Sequence, residues 1–480
     1  MPDRFRMNRD MLSSVIGETG IAVIPAAVEV VRNGSVFHPF RQDSDFFYFT
    51  GFSEPDAVAV LVPGHPNGDF HLFVNPRDRE KEIWTGYRQG VEGVVQRHEA
   101  DAAYPISDLD EVLAVLAIGR ETVYCNLGGR VDAKIRALLT QARTARDRHG
   151  LVGPSRLVDL APVVSEFRMF KGPAEIESIS AACELSAEGH REAMRFTSPG
   201  MCEYQVAAAM EFIWREGGSP RNGYPSIVAS GENAIILHYV ENDRLIEDGD
   251  LVLIDAAAEV DMYSADITRT FPANGKFTEP QRALYEVVLA AHHQAIRCAK
   301  PGSSIRCSHD VARAVITEGL VDLGLLPKGV DDSLAMHLYR EFFMHGTSHW
   351  LGLDVHDIGS YRAPGGHRIL KEGMVYTVEP GIYVAADRPE VEFTLWEHDP
   401  DEWAERKLRE GKAAVEAEKE AKEAAPKVMH SIPEEFLGMG IRIEDDILIT
   451  ADGHEVLSAL VPSEPDKIEA LCSESSWLHR

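Results

Sequence analysis

At 480 residues, 44% of them hydrophobic, the chain carries enough apolar material for two or three cores rather than one. Its 48 Lys plus Arg against 77 Asp plus Glu leave a formal charge of -29, which repels phosphate backbones and anionic lipid and excludes nucleic acid and membrane surfaces as partners. The six cysteines, at 125, 183, 202, 298, 307 and 472, form no C-x-x-C pair, which argues against a zinc ribbon or a disulfide scaffold and fits a reducing, cytoplasmic setting.

The N-terminal stretch MPDRFRMNRDMLSSVIGETG is broken by charge at Asp3, Arg4, Arg6, Arg9 and Asp10 and does not read as a signal peptide. No later segment approaches the roughly 18 apolar residues of a membrane span. Short strand patterns at Gly20 to Ala26, Ala57 to Val62, Phe70 to Val74 and Thr122 to Cys125 alternate with helical patterns at Leu109 to Leu116 and Arg130 to Ala145. That alternation predicts an α/β domain over residues 1–170. Beyond Phe167 the texture changes, with Pro173 at a helix start and Glu175 and Glu177 where the helix dipole favours anions. Helices are predicted at about 174–196, 203–217, 278–299 and 305–324, a β-rich stretch at about 225–275, and strands with loops over 342–384 and 440–449. Helices gathered around a central β region predict an α+β domain over 171–480. Residues 386–436, rich in Ala, Glu and Lys, read as an exposed helical insertion.

Four short segments carry chemistry. In DLVLIDAAAEVDMYSADITRTF, a hairpin turning at Val260 and Asp261 sets Asp255 opposite Asp266, where two like charges call for a cation between them. Taken alone, the pair also admits one aspartate facing solvent through a bulge, and Val-Asp is not a favoured turn. FFMHGTSHWLGLDVHDIG holds His345, His349 and His356; the spacing of the first two imitates a helical zinc site, but Gly346, Thr347 and Ser348 are poor helix formers and no Glu follows His345. Glu379 ends the apolar run MVYTV, and Pro380 restricts it to an extended conformation. In GIRIEDDILIT, alternation places Arg442 and Glu444 on one face, either as a metal carboxylate with an orienting Arg or as a surface ion pair. Four carboxylates and one imidazole are a donor set for a pair of hard or borderline divalent cations.

Together with HPFRQDSDFFYFTGF, GENAIILHYVEN and TVEPGIYV, these segments resemble the aminopeptidase P (Xaa-Pro aminopeptidase) family of pita-bread metallopeptidases over nearly the whole chain. The resemblance implies an N-terminal α/β domain, a pita-bread catalytic domain and two metal ions, manganese by preference with cobalt or zinc as alternatives. It implies hydrolysis of the bond between an N-terminal residue and a following proline by a bridging hydroxide. By position, Asp255 would chelate one metal, Asp266 and Glu444 would bridge both, and His349 and Glu379 would complete the second site. Glu379 matches the family's proton-transferring base. His238, His345 and His356 match the histidines around the substrate, one on the oxyanion and another on the proline side. Tyr383 and Arg442 would belong to the surrounding network, and Trp84 resembles an aromatic lent by a neighbouring subunit of a homodimer or homotetramer. The insertion at 386–436 departs from the pattern. Prolidase, which cleaves Xaa-Pro dipeptides, shares the ligands but typically reads H-G-x-G-H where this chain has His345-Gly-Thr-Ser-His349. Methionine aminopeptidase and creatinase share the fold, and a metal-free binding module of the same fold would have lost ligands that this chain keeps.

Overall fold

The computed structural model describes residues 4–150, 152–397 and 399–479. They fall into two compact units, Met1–Arg168 and Met169–Arg480.

The first unit is built on a six-stranded mixed sheet. Its central strand, Gly20–Pro25, runs antiparallel to Val58–Leu61 and parallel to Thr122–Cys125. Ile21, Val23, Val60 and Val123 are fully buried, as expected of strands covered on both faces. Helices Leu109–Leu116 and Asp132–His149 supply one cover through Leu113, Leu116, Ile135 and Leu138. The predicted α/β character is met.

In the second unit, helices Pro173–Phe196, Glu203–Glu216, Glu279–Arg297 and Arg306–Asp322 surround short antiparallel sheets, the pita-bread arrangement. Helix starts follow local chemistry: Glu175 reaches back to the Gly172 N–H at 2.8 Å, and Thr278 and Gln281 cap each other. Three sheets position the chemistry. Leu251–Asp255 lies between Ile227–Ser230 and Thr268–Pro272; Val375–Val378 pairs with Asp445–Ile449; and Gly381–Tyr383 pairs with Gly440–Arg442. A bridge between Thr268 and Glu444 joins the first of these sheets to the strand that follows Arg442.

The hairpin register differs from expectation. Asp255 faces Thr268 rather than Asp266, because the chain turns at Asp261 and Met262, with φ of 50° and 73°, rather than at Val260 and Asp261. Two consecutive left-handed residues make the turn whose twist matches antiparallel strands. A two-residue slip preserves side-chain facing, so Asp255 and Asp266 still share a cavity as diagonal neighbours.

The insertion is more than exposed helix. Helices Pro400–Glu410 and Lys412–Ala424 stand on an antiparallel ladder of Glu390–Thr394 and Lys427–Ser431, and its Val391, Phe393, Ile432 and Phe436 sit in the main core. His398, within it, lies outside the described residues. Phe393 is 4% exposed and Leu408 90% exposed. Phe393→Ala is expected to cost about 3–5 kcal/mol and Leu408→Ala within about 0.5 kcal/mol, read by denaturant unfolding; equal effects would contradict an anchored base.

Candidate active site

Asp255 ends one strand, Asp266 sits in the irregular link before Thr268–Pro272, Glu379 follows Val375–Val378, and Glu444 follows Gly440–Arg442. Each carboxylate thus stands where a strand gives way to a turn. His349 comes from the non-helical run between Phe343 and Trp350, in keeping with the rejected zinc-helix reading. All five line one cavity of about 280 Å³ together with His238, His345, His356 and Arg442.

The tightest cluster is Asp266, His349 and Glu444, with one ligand atom from each within 4.8 Å of the others. His349 Nε2 lies 3.2 Å from Asp266 Oδ2, 3.8 Å from Glu379 Oε1 and 3.9 Å from Glu444 Oε1. Tyr224, which no sequence motif marks, donates to Asp266 Oδ1 at 2.6 Å, and Thr268 donates to Glu444 Oε2 at 2.7 Å. The Asp266 N–H donates to Asp446 at 2.9 Å. Asp255 is held by Arg442 Nη2 at 2.6 Å. The expected facing of Arg442 and Glu444 is therefore realised indirectly: Arg442 pairs with Asp255 and meets Glu444 only through Thr268, to whose hydroxyl its Nε donates at 3.2 Å.

Arg442 Nη1 also donates to Tyr383 Oη at 3.0 Å, and Tyr383 Oη is 2.8 Å from His345 Nε2. Burial pushes Tyr383 up to about 12, so its hydroxyl keeps its proton and donates to His345. His345 Nδ1 donates in turn to the Gly346 carbonyl at 2.6 Å. Burial, aided by Arg442, lowers His345 to about 3 and keeps the ring neutral. His356 packs edge-on against His349, with ring centroids 4.3 Å apart. His238 is exposed at the cavity wall. Tyr383 lies behind the lining and touches the cavity through Arg442 and His345. Trp84 belongs to the first unit, where it is 87% exposed.

The electrostatics of the donor set call for a metal. Burial raises Asp255, Glu379 and Glu444, and neighbouring carboxylates push all three further in the same direction. Asp255 Oδ1 is buried without a hydrogen-bond partner. Ionised carboxylates crowded out of water need a cation, and oxygen donors with one imidazole suit a divalent one. The residues fit. A buried carboxylate cluster of this kind on this fold defines a metal-dependent hydrolase.

Comparison with known proteins narrows the class. Residues 177–451 match the model of metallopeptidase family M24, and residues 5–124 match that of the aminopeptidase P N-terminal domain. The chain is 40% identical to the Xaa-Pro aminopeptidase of Escherichia coli over 97% of both chains. The solved Pseudomonas aeruginosa aminopeptidase PepP superposes with a TM-score of 0.87 at 40% identity, covering 98% of this chain and 97% of that one. A zinc-substituted E. coli aminopeptidase P in complex with product gives 0.86 at 39% identity, with the same coverage of both chains. The chain belongs to the aminopeptidase P family of M24 metallopeptidases.

Glu379, raised by burial to about 7, keeps in the folded metal-free chain a proton that the unfolded chain loses above its ordinary value of 4.5; that stabilisation is lost as pH rises through 7. For His349, burial alone would lower the ring, but Asp266 and Glu379 outweigh it and raise it to about 9; its contribution is present below the ordinary 6.5 and lost through 9. A divalent cation held by Glu379 and His349 would have to displace both protons. Added Mn²⁺ is therefore expected to raise Tm more at about pH 8 than at about pH 6, read by scanning calorimetry; the opposite order would contradict this protonation pattern.

Proposed function

We propose that this chain removes an N-terminal residue that precedes proline, with Asp255, Asp266, His349, Glu379 and Glu444 holding two divalent cations. The observation that carries the reading is the convergence of four carboxylates and one histidine in one cavity, in a chain alike end to end with an Xaa-Pro aminopeptidase. Asp255 would serve one cation, Asp266 and Glu444 would be shared between the two, and His349 and Glu379 would serve the other. The carboxylate-rich set suits Mn²⁺, with Co²⁺ or Zn²⁺ as substitutes. When bound, such a pair supplies Lewis acidity at the scissile carbonyl and lowers the pKa of water.

The remaining work falls to the chain's own groups. Glu379, which lines the cavity 3.6 Å from His345 Nδ1, would take the proton of the attacking water and pass it to the departing proline nitrogen. Arg442 orients Asp255, and Tyr383 links Arg442 to His345. Both ring nitrogens of His345 are engaged by Tyr383 and Gly346, so the oxyanion contact falls to His238 or His356, with the other on the proline side. Residues 1–170 and 171–480 act as N-terminal and catalytic domains. Trp84, with Ile83 and Tyr87 75% and 90% exposed beside it, suits a contact between subunits of a homodimer or homotetramer. Six free thiols fit the cytoplasm. Among the described residues no helix is long and apolar enough to cross a membrane.

Turnover of an Xaa-Pro-Yaa tripeptide is expected to exceed that of the Xaa-Pro dipeptide and of an Xaa-Ala-Yaa control. Strong preference for the dipeptide would assign a prolidase instead. Asp266→Ala and Glu444→Ala are each expected to lower kcat/KM by about 10³-fold or more and to lose bound metal, because each serves both cations. Two metals retained in either variant would contradict the shared-ligand assignment.

A further inference from the structure

His238 lies in a stretch between Ser230 and Arg244 whose only regular element is a single 3-10 turn, Gly231–Ile235. A substrate contact on irregular chain needs something outside it to fix its place. That support is Glu203, the first residue of helix Glu203–Glu216, whose carboxylate is fully buried. Its Oε1 accepts from the Ser230 N–H at 2.7 Å, the Ser230 hydroxyl at 2.7 Å and Asn233 Nδ2 at 3.3 Å. Its Oε2 accepts from the Tyr239 hydroxyl at 2.7 Å and the Arg244 N–H at 2.9 Å.

Every one of these donors comes from the same stretch: two residues at its ends, one in its 3-10 turn, and the residue next to His238. Glu203 N–H donates to the Arg244 carbonyl at 3.1 Å, tying the helix start to the same point. Asn242, in a left-handed conformation with φ of 50°, adds a second clip by accepting from the Val228 N–H and donating to the Ser226 carbonyl, both at 2.8 Å. Capping a helix start requires one or two local donors. A carboxylate that gathers all its donors from one remote segment is organising that segment.

We propose that Glu203 is a positioning residue for the reaction, holding residues 230–244 so that His238 faces the cavity in which the scissile peptide lies. This rests on the reading of His238 as a substrate contact. Glu203 lies outside the metal cluster and touches no residue of it.

The test is a double-mutant cycle on the metal-loaded full chain with an Ala-Pro-Ala substrate. Glu203→Gln keeps the shape but replaces one acceptor oxygen by a donor. It is expected to lower kcat/KM about tenfold in the wild type and less than about twofold in a His238→Ala background, with metal content unchanged and amide exchange faster across 231–243. The same factor in both backgrounds, or no loss in either, overturns the proposal. Full activity in His238→Ala would instead remove the substrate role of His238, and a Glu203→Gln loss persisting there would show that Glu203 acts by another route. Should Glu203→Gln not fold, Tyr239→Phe deletes a single hydroxyl of the clamp, and its cycle with His238→Ala must show the same non-additivity.

Discussion

Four carboxylates drawn out of water into one cavity repel one another and lose hydration together, and much of the catalytic unit reads as an answer to that cost. Unit charges a few ångströms apart in a poorly solvated site interact far more strongly than in water. Arg442 meets Asp255, His349 meets Asp266, and neutral hydroxyls from Tyr224 and Thr268 take one oxygen each of Asp266 and Glu444. The compensation extends behind the site. Arg269, 1% exposed, spans Asp445 and the carbonyls of Glu444, Val461 and Pro462. Burial would raise Asp445, but Arg269 and His292 outweigh it and hold it well below the carboxylate range. Even so, Asp255, Glu379 and Glu444 stay raised, and that remainder is what the proposed cations would remove.

Short antiparallel strands suit this task. Their ends lie near the cavity, so a carboxylate at or just beyond an end lines the site while neighbouring residues such as Leu253, Ile254, Val375 and Val378 stay in the core. The strands thereby place the carboxylates, and the less regular segments around His238 and His349 bring the histidines that line the same cavity. Those segments are held by specific polar bonds: Glu203 gathers the first, and in the second the Thr377 N–H donates to the His349 carbonyl at 2.9 Å while the Thr377 hydroxyl accepts the His349 N–H at 3.3 Å.

Much of this was legible in the chain. Strand alternation found the elements, and the grouping of Asp255, Asp266, His349, Glu379 and Glu444 survives in space. Register was not legible: alternation reports which face a residue takes, not which partner it meets, and the turn at Asp261 and Met262 relies on left-handed backbone at a methionine, which no turn preference anticipates. Facing was right for Arg442, yet its partner was not, because Asp255 comes from a strand far away in sequence. Tyr224, Thr268 and Glu203 escaped notice for the same reason. Each is an ordinary residue in its own segment and acquires meaning only through a carboxylate or a loop that folding brings to it. The core-packed base of the 386–436 insertion was hidden by the charged helices between its two strands.

A two-cation centre requires that the carboxylate cavity work only when both cations neutralise it. Elemental analysis of the purified chain, titrated with Mn²⁺ after chelation and assayed on a tripeptide with proline second, tests it directly. Activity is expected to vanish on chelation and to return in full as occupancy approaches two metals per chain. Full activity in the stripped protein, or at a single bound metal, would contradict it.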